Sequence, residues 1–240
     1  MFESKNAIVT GAAGDLGSSL CKALSEIGYR VAHIVRDTDS LDAREHRDGD
    51  SVFQCDLSDP LERVRTWREI CDWTKNLDLL VNCAGVAHGA PAMMTKMADL
   101  KSTFEVNYFA PVEFSQLAAR LMARKRKGVI INVLSIQALL AEPGNLAYGG
   151  SKAALLHATK LMASEFGKLG IRVNGVAPTV IKGKMAELMD LKSKETLLGY
   201  SSLASELDVD EVIEAILFLA SQSARNINGE ILRIDGGMRI

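Results

Sequence analysis

Tyr148 and Lys152 stand four residues apart in Tyr148-Gly149-Gly150-Ser151-Lys152, a spacing that puts both on one face of a helix. That face continues through Leu155, Leu156, Thr159 and Ala163, so the pair heads a stripe facing the interior. An ammonium near a phenol stabilises the phenolate and lets a tyrosine exchange a proton near neutral pH. Lysine is costly to bury without such a purpose. The alternative is a snorkelling lysine beside a packing tyrosine. Ser135 follows the apolar run Val129–Leu134, where its hydroxyl can hydrogen-bond a carbonyl oxygen or simply begin a turn. Asn107 falls within the apolar stripe Leu100, Phe104, Ala110, Phe114, Leu117 and Leu121, where a polar side chain needs partners. Four residues on, Pro111 cannot donate to the Asn107 carbonyl. That carbonyl can hold a water within reach of Lys152, or the proline merely kinks the helix.

A second set of residues suits binding. Thr10-Gly11-Ala12-Ala13-Gly14-Asp15-Leu16-Gly17 joins a strand-like run to a helical pattern. Glycines there let the backbone approach a pyrophosphate, and the helix start supplies N–H groups and positive potential. A mere glycine-rich turn is the plainer reading. An NAD site of this layout places an acid at the end of the second strand, for the ribose hydroxyls. Here that strand ends Ile34-Val35-Arg36-Asp37. Arg36 can pair with a 2′-phosphate, which favours NADP(H) over NAD(H). The alternatives are a solvated arginine, or a one-residue shift that makes Asp37 the acid. Asp56, in Cys55-Asp56-Leu57, either accepts from an adenine amino group or caps the helix starting at Ser58-Asp59-Pro60.

These residues need a frame. Strand-like runs occur at Ala7–Thr10, Val31–Val35, Ser51–Cys55, Leu77–Asn82, Val129–Leu134, Ile171–Ala177 and Glu230–Ile234. Most are continuously apolar, as strands buried on both faces are. Amphipathic stretches lie between them, near 15–27, 59–75, 97–123, 147–168 and 208–221. The alternation predicts an α/β fold: one doubly wound parallel sheet of about seven strands, with helices on both faces. Residues 1–240 read as a single domain. The 183–205 segment looks like an insertion serving as a substrate lid. Its Met185, Leu188, Met189, Leu191, Leu197 and Leu198 cover an apolar ligand or belong to the core.

Composition narrows the function. With 48% hydrophobic and 24% charged residues, the 240-residue chain is an ordinary soluble globular protein. Its 28 basic and 30 acidic residues, net −2, give no general attraction for nucleic acid or anionic membrane. No apolar run approaches ~18 residues, so no transmembrane helix is expected. Met1-Phe2-Glu3-Ser4-Lys5 lacks a signal-peptide layout. Cys21, Cys55, Cys71 and Cys83 form no CxxC pair, and the four histidines are scattered. Buried, reduced thiols of a cytoplasmic protein with no metal site are expected.

The set Thr10-Gly11…Gly17, Asn82-Cys83-Ala84-Gly85, Asn107, Ser135 and Tyr148…Lys152 resembles the classical short-chain dehydrogenases/reductases, which have a Rossmann fold. The similarity covers nearly the whole chain and includes the closing Ile234-Asp235-Gly236-Gly237. It implies a catalytic tetrad of Asn107, Ser135, Tyr148 and Lys152. Tyr148 would be the acid in reduction, Lys152 would tune it and bind the nicotinamide ribose, and Ser135 would orient the carbonyl. Asn107 would hold a relay water through its main chain. Asn82, Ala84 and Gly85 match the motif that supports the sheet and lines the cofactor, and Asp56 and Leu57 match its adenine side.

Three positions depart from the pattern. Asp15 replaces the middle glycine of TGxxxGxG, so that Gly11, Gly14 and Gly17 fit the TGxxGxxG of extended members. Thr179 follows Pro178 where glycine is usual, and Gly183 replaces a threonine near the carboxamide end of the cofactor. Val180 is left to offer backbone groups there.

Within the family the chain is most similar to 3-oxoacyl-[acyl-carrier-protein] reductases. That implies NADPH-dependent reduction of a 3-oxoacyl thioester in fatty acid biosynthesis, and a homotetramer. The alternatives are a dehydrogenase of a sugar, polyol, steroid or secondary metabolite, or a dinucleotide sensor or scaffold without turnover. Arg124-Lys125-Arg126-Lys127 is either a solvated helix end or a dock for an acidic carrier protein. The resemblance places Arg126 in that dock, with Lys168 beside a second such position.

Overall fold

Seven apolar segments form the strands: β1 (Lys5–Thr10), β2 (Tyr29–Val35), β3 (Ser51–Gln54), β4 (Leu79–Asn82), β5 (Gly128–Val133), β6 (Ile171–Pro178) and β7 (Ile231–Ile234). The computed structural model describes residues 5–38, 49–187, 189 and 191–239. All seven strands pair in parallel in the order β3-β2-β1-β4-β5-β6-β7. Their apolar runs are continuous because both faces are covered. The helices are α1 (Asp15–Glu26), α2 (Pro60–Trp73), α3 (Met97–Phe104), α4 (Ala110–Met122), α5 (Leu146–Phe166), α6 (Lys184–Glu187), α7 (Leu191–Tyr200) and α8 (Val209–Ala220). On one face α1 and α8 bring Leu20, Leu24, Ile213 and Ile216 against Val9, Val31, Val81 and Ile131. On the other, α2, α4 and α5 bring Ile70, Phe114 and Met162 against Ile8, Leu80 and Ile130.

The long stretch read near 97–123 is not one helix. A π-helical turn, Glu105–Phe109, separates α3 from α4. Pro111 lies in the first turn of α4, where its missing N–H breaks no helical bond. The break expected from Pro111 thus takes the form of a widened turn with Asn107 at its centre, rather than a plain kink.

The 183–205 segment carries α6 and α7. Leu197 is buried, and with Ile136, Val180 and Met238 it forms a small core, whereas Met185 and Leu191 are exposed. Leu197 therefore takes the core role, and Met185 and Leu191 do not. Leu188 lies outside the described residues, as do Met1–Ser4. Cys21 and Cys55 are buried, but Cys71 and Cys83 are partly exposed, which corrects the expectation for those two. Among the described residues no helix is long and apolar enough to cross a membrane.

Candidate active site

The strand order reverses between β1 and β4, where Thr10 and Asn82 lie side by side at the carboxyl ends. A crevice at such a point is where doubly wound sheets bind ligands. The Thr10 hydroxyl accepts from the main-chain N–H groups of Cys83 (3.0 Å) and Ala84 (3.1 Å), locking the two loops together. Gly11 has φ +67°, and a Cβ there would lie 2.7 Å from the Ala84 Cα. A Cβ on Gly17 would lie 2.1 Å from the Gly11 carbonyl oxygen. Gly14 caps α1 without a side-chain bond, Leu16 packs on the adjacent core, and Asp15 stands in the first turn of α1. The Asp15 carboxylate accepts the main-chain N–H of Lys184 at 2.8 Å.

Asn82 supports the site rather than lining it. Its amide donates to Asn132 Oδ1 (2.8 Å), Ser115 Oγ (3.1 Å) and the Pro111 carbonyl (3.3 Å). Asn132 in turn donates to Thr159 Oγ1 at 2.8 Å, so β4, β5, α4 and α5 share one buried polar chain. Ala84 and Gly85 form the loop beyond. A Cβ on Gly85 would stand 3.4 Å from Lys152 Nζ.

At the adenine side, β2 ends at Val35 and Arg36 is the first residue past it, as the sequence register required. Arg36 and Asp37 are both exposed. Asp59, not Asp56, caps α2: its Oδ1 accepts from Leu61 N–H at 2.8 Å. Asp56 instead accepts from the main chain (2.9 Å) and hydroxyl (2.7 Å) of Ser58. Those two bonds, with a smaller contribution from the Arg36 charge, hold its carboxyl below the usual range. The Leu57 carbonyl accepts from Arg63 at 2.6 Å. Arg63 is buried and also bonds Glu113 (2.6 Å) and Glu105 (3.3 Å), tying this loop to the π-turn. The sequence reading missed Arg63. Its signal was a cation in phase with Trp67 and Ile70 on the buried face of α2.

Ser135 and Lys152 are buried, and the fold brings them together with the partly exposed Tyr148. Ser135 Oγ accepts from Gln137 N–H at 3.2 Å. Burial pushes the Tyr148 phenol pKa up, and the neighbouring Ser135 hydroxyl draws it part of the way back. Lys152 does not snorkel: Nζ donates to the Val133 carbonyl at 2.7 Å and stands 5.9 Å from the Tyr148 ring centroid. Burial lowers its pKa to about 8, against a smaller raising effect of Cys83. Burial likewise pushes the Cys83 thiol up to about 12, so it stays protonated. Asn107 is fully buried and finds the partners its position demanded. Its Oδ1 accepts from Val86 N–H (2.9 Å), and its Nδ2 donates to the Val86 carbonyl (2.9 Å) and Ser151 Oγ (3.0 Å). This side chain clamps the loop after β4 to α5.

At the exit of β6, Pro178 and Val180 are buried, and the Val180 carbonyl is already taken by Leu207 N–H at 2.8 Å. Thr179 Oγ1 is buried with no hydrogen-bond partner in this structure. Arg124, Arg126 and Lys168 are exposed and precede β5 and β6 in the chain. They therefore lie at the amino ends of those strands, whereas Ser135 follows the carboxyl end of β5. Six residues of β5 separate the two ends, roughly 20 Å. Arg126 donates to the Lys168 carbonyl at 2.7 Å.

Residues 11–239 match the family described as enoyl-(acyl carrier protein) reductase. The chain is 31% identical to the 3-oxoacyl-[acyl-carrier-protein] reductase of Rickettsia prowazekii, over 98% of its own length and 96% of that protein's. It is equally 31% identical to the D-threitol dehydrogenase of Mycolicibacterium smegmatis, over 100% and 94% of the two lengths. Among solved structures, 4-hydroxyisoleucine dehydrogenase complexed with NADH superposes with a TM-score of 0.89 at 30% identity, covering 97% of this chain and 98% of that one.

Proposed function

The chain belongs to the short-chain dehydrogenase/reductase family and is an oxidoreductase of that type, and from this premise we propose that it reduces a carbonyl to a secondary alcohol with NADPH. The observation that carries the reading is the buried Lys152 ammonium 5.9 Å from the Tyr148 ring, with the Ser135 hydroxyl drawing down the pKa of the same phenol. The sensor or scaffold reading gives no reason to keep that arrangement.

The cleft fits a nicotinamide dinucleotide. Gly11 and Gly17 let the loop after β1 pack tightly against Ala84 and its own backbone at the carboxyl ends of the strands, and the Thr179 hydroxyl at the exit of β6 lacks a partner. Gly11, Gly14, Leu16 and Gly17 would hold the diphosphate, Arg36 the 2′-phosphate, and Asp56 and Leu57 the adenine. Ala84 and Gly85 would flank the cofactor, Tyr148 and Lys152 would hold its ribose, and the Pro178–Val180 segment its carboxamide end. When bound, the cofactor supplies a hydride. Ser135 orients the substrate oxygen, and Tyr148 donates the proton to it. The Lys152 charge stabilises the phenolate left behind. The Asn107 carbonyl, in the widened turn, positions a water that returns the proton. Because the Lys152 pKa lies near 8, kcat/KM for reduction falls as pH rises through about 8 and the ammonium is lost. A pH–rate profile that stays flat to pH 10 would contradict this role.

The substrate reading is a 3-oxoacyl thioester, supported by the name of the rickettsial relative and by the apolar surface of Met185 and Leu191. A carrier protein docked on Arg124, Arg126 and Lys168 would face away from this chain's own Ser135. In that reading it serves a neighbouring subunit of a homotetramer. One observation favours a second reading, a polyhydroxylated ketone. Gln137, next to Ser135, has a buried Oε1 without a partner, and its amide is bound to Glu142. Two acceptors there suit a hydroxyl donor, and a site built for a hydroxyl rejects ligands that lack one.

The test is oxidation of NADPH and NADH with a short 3-oxoacyl thioester and with a four-carbon polyhydroxy ketone. Fast NADPH-dependent turnover of the thioester supports the first reading, and turnover of the ketone alone supports the second. Turnover of neither, with cofactor bound, removes both substrate readings. Arg36→Ala is expected to raise the KM for NADPH about tenfold, the scale of one charge-assisted bond, and to leave that for NADH within about twofold. Equal changes would remove the NADP(H) assignment.

A further inference from the structure

Two of the departures from the family pattern meet in space. Asp15 and Lys184 are 169 residues apart, and Asp15 Oδ2 accepts the Lys184 main-chain N–H at 2.8 Å. Gly183 has φ +140°, and a Cβ there would lie 2.3 Å from Asp15 Oδ2 and 3.1 Å from Asp15 Cγ. The carboxylate therefore occupies the space that a side chain at 183 would take. A glycine at 15 would in turn leave the Lys184 N–H without this acceptor. Each departure accommodates the other. The contact also sets a negative charge in the first turn of α1, whose cap at Gly14 makes no side-chain bond. That is the end of the helix an anionic ligand would approach.

We infer that Asp15 is a positioning residue: it fastens the Gly183–Glu187 segment to the glycine loop, and its charge holds the affinity for a dinucleotide diphosphate below what the loop alone would give. The affinity half rests on the cofactor reading above, whereas the fastening half does not. In this arrangement the segment is fixed before any cofactor arrives.

The test separates acceptor from charge. Asp15→Asn keeps an oxygen that can accept from Lys184, without the charge, and Asp15→Ala removes both. Hydrogen exchange of the 183–187 segment is followed by mass spectrometry in the unliganded full-length protein. NADPH binding is measured separately by fluorescence titration. Exchange in this segment is expected to rise about fivefold or more in Asp15→Ala, the scale of one lost hydrogen bond, and to remain at the wild-type rate in Asp15→Asn. NADPH is expected to bind Asp15→Asn about fivefold more tightly, the scale of one like charge at a helix terminus. Unchanged exchange in Asp15→Ala would overturn the fastening. Equal or weaker NADPH binding by Asp15→Asn would overturn the charge effect. If no variant and no wild-type protein bound NADPH, the cofactor reading and the charge effect would fall together, and exchange alone would decide the fastening.

Discussion

Tyr148→Phe is expected to lower kcat for carbonyl reduction by about 10²- to 10⁴-fold, the usual contribution of a positioned acid. NADPH affinity should change by no more than about threefold, because the phenylalanine ring keeps the packing and loses only the hydroxyl. The expectation follows from what surrounds the phenol. The Ser135 hydroxyl draws its pKa down, and the Lys152 ammonium lies 5.9 Å from its ring. No other group in this arrangement has both a transferable proton and a charge to stabilise its loss. The Cys83 thiol is pushed up to about 12 and is no substitute acid near neutral pH. Steady-state rates and a fluorescence titration on the same preparation check both halves. Retention of more than about a tenth of the wild-type kcat would remove Tyr148 from the proton transfer.

Gly17→Ala is expected to abolish measurable NADPH binding and to lower stability by about 2–4 kcal/mol, the range of strong overpacking. The new methyl would lie 2.1 Å from the Gly11 oxygen, 2.9 Å from the Gly11 carbonyl carbon and 3.0 Å from the Ala12 Cα. All three are backbone atoms of the loop, so relief means moving the cradle itself. For a chain of this size the loss corresponds to a fall in Tm of about 5–15 °C. Gly14→Ala is the control: a Cβ there would meet only the Gly11 oxygen, at 3.4 Å, with an ordinary φ of −80°. Thermal unfolding and titration of both variants decide the matter. Near-wild-type Tm and binding in Gly17→Ala would mean that the loop yields more readily than its contacts imply.

The parallel sheet and most of its helices were legible in the sequence because burial on both faces leaves unbroken runs such as Ile8-Val9 and Leu79-Leu80-Val81. Tyr148, Lys152 and Ser135 were legible because local spacing and strand ends place them. Asn107 was half legible. Its position in an apolar stripe announced buried partners, but those partners, Val86 and Ser151, come from other elements. Pro111 announced a disturbance but not its form, since a kink and a π-turn satisfy the same missing N–H. Asp56 was read as a possible cap, but the turn at Ser58 takes its carboxylate and leaves the cap to Asp59. The Asp15–Lys184 contact was not legible at all. Each departure read alone looks like a lost cofactor contact, and their compensation exists only once β1 and β6 share a sheet.

The sheet order also bears on how the chain reaches this state. β1 is a central strand, and its second edge is filled by β4, from residues 72 positions downstream, as the pairing of Ala7 with Leu79 shows. Until β4 is made, the nascent chain can assemble β1, β2 and β3 while one edge of β1 stays bare, with Ala7, Ile8 and Val9 along it. Such an edge templates pairing with any other extended chain. Long-range parallel closure of this kind is slow compared with helix formation. A window of aggregation risk for this protein therefore falls during synthesis, between the completion of β3 and the arrival of β4, while that edge stays uncovered.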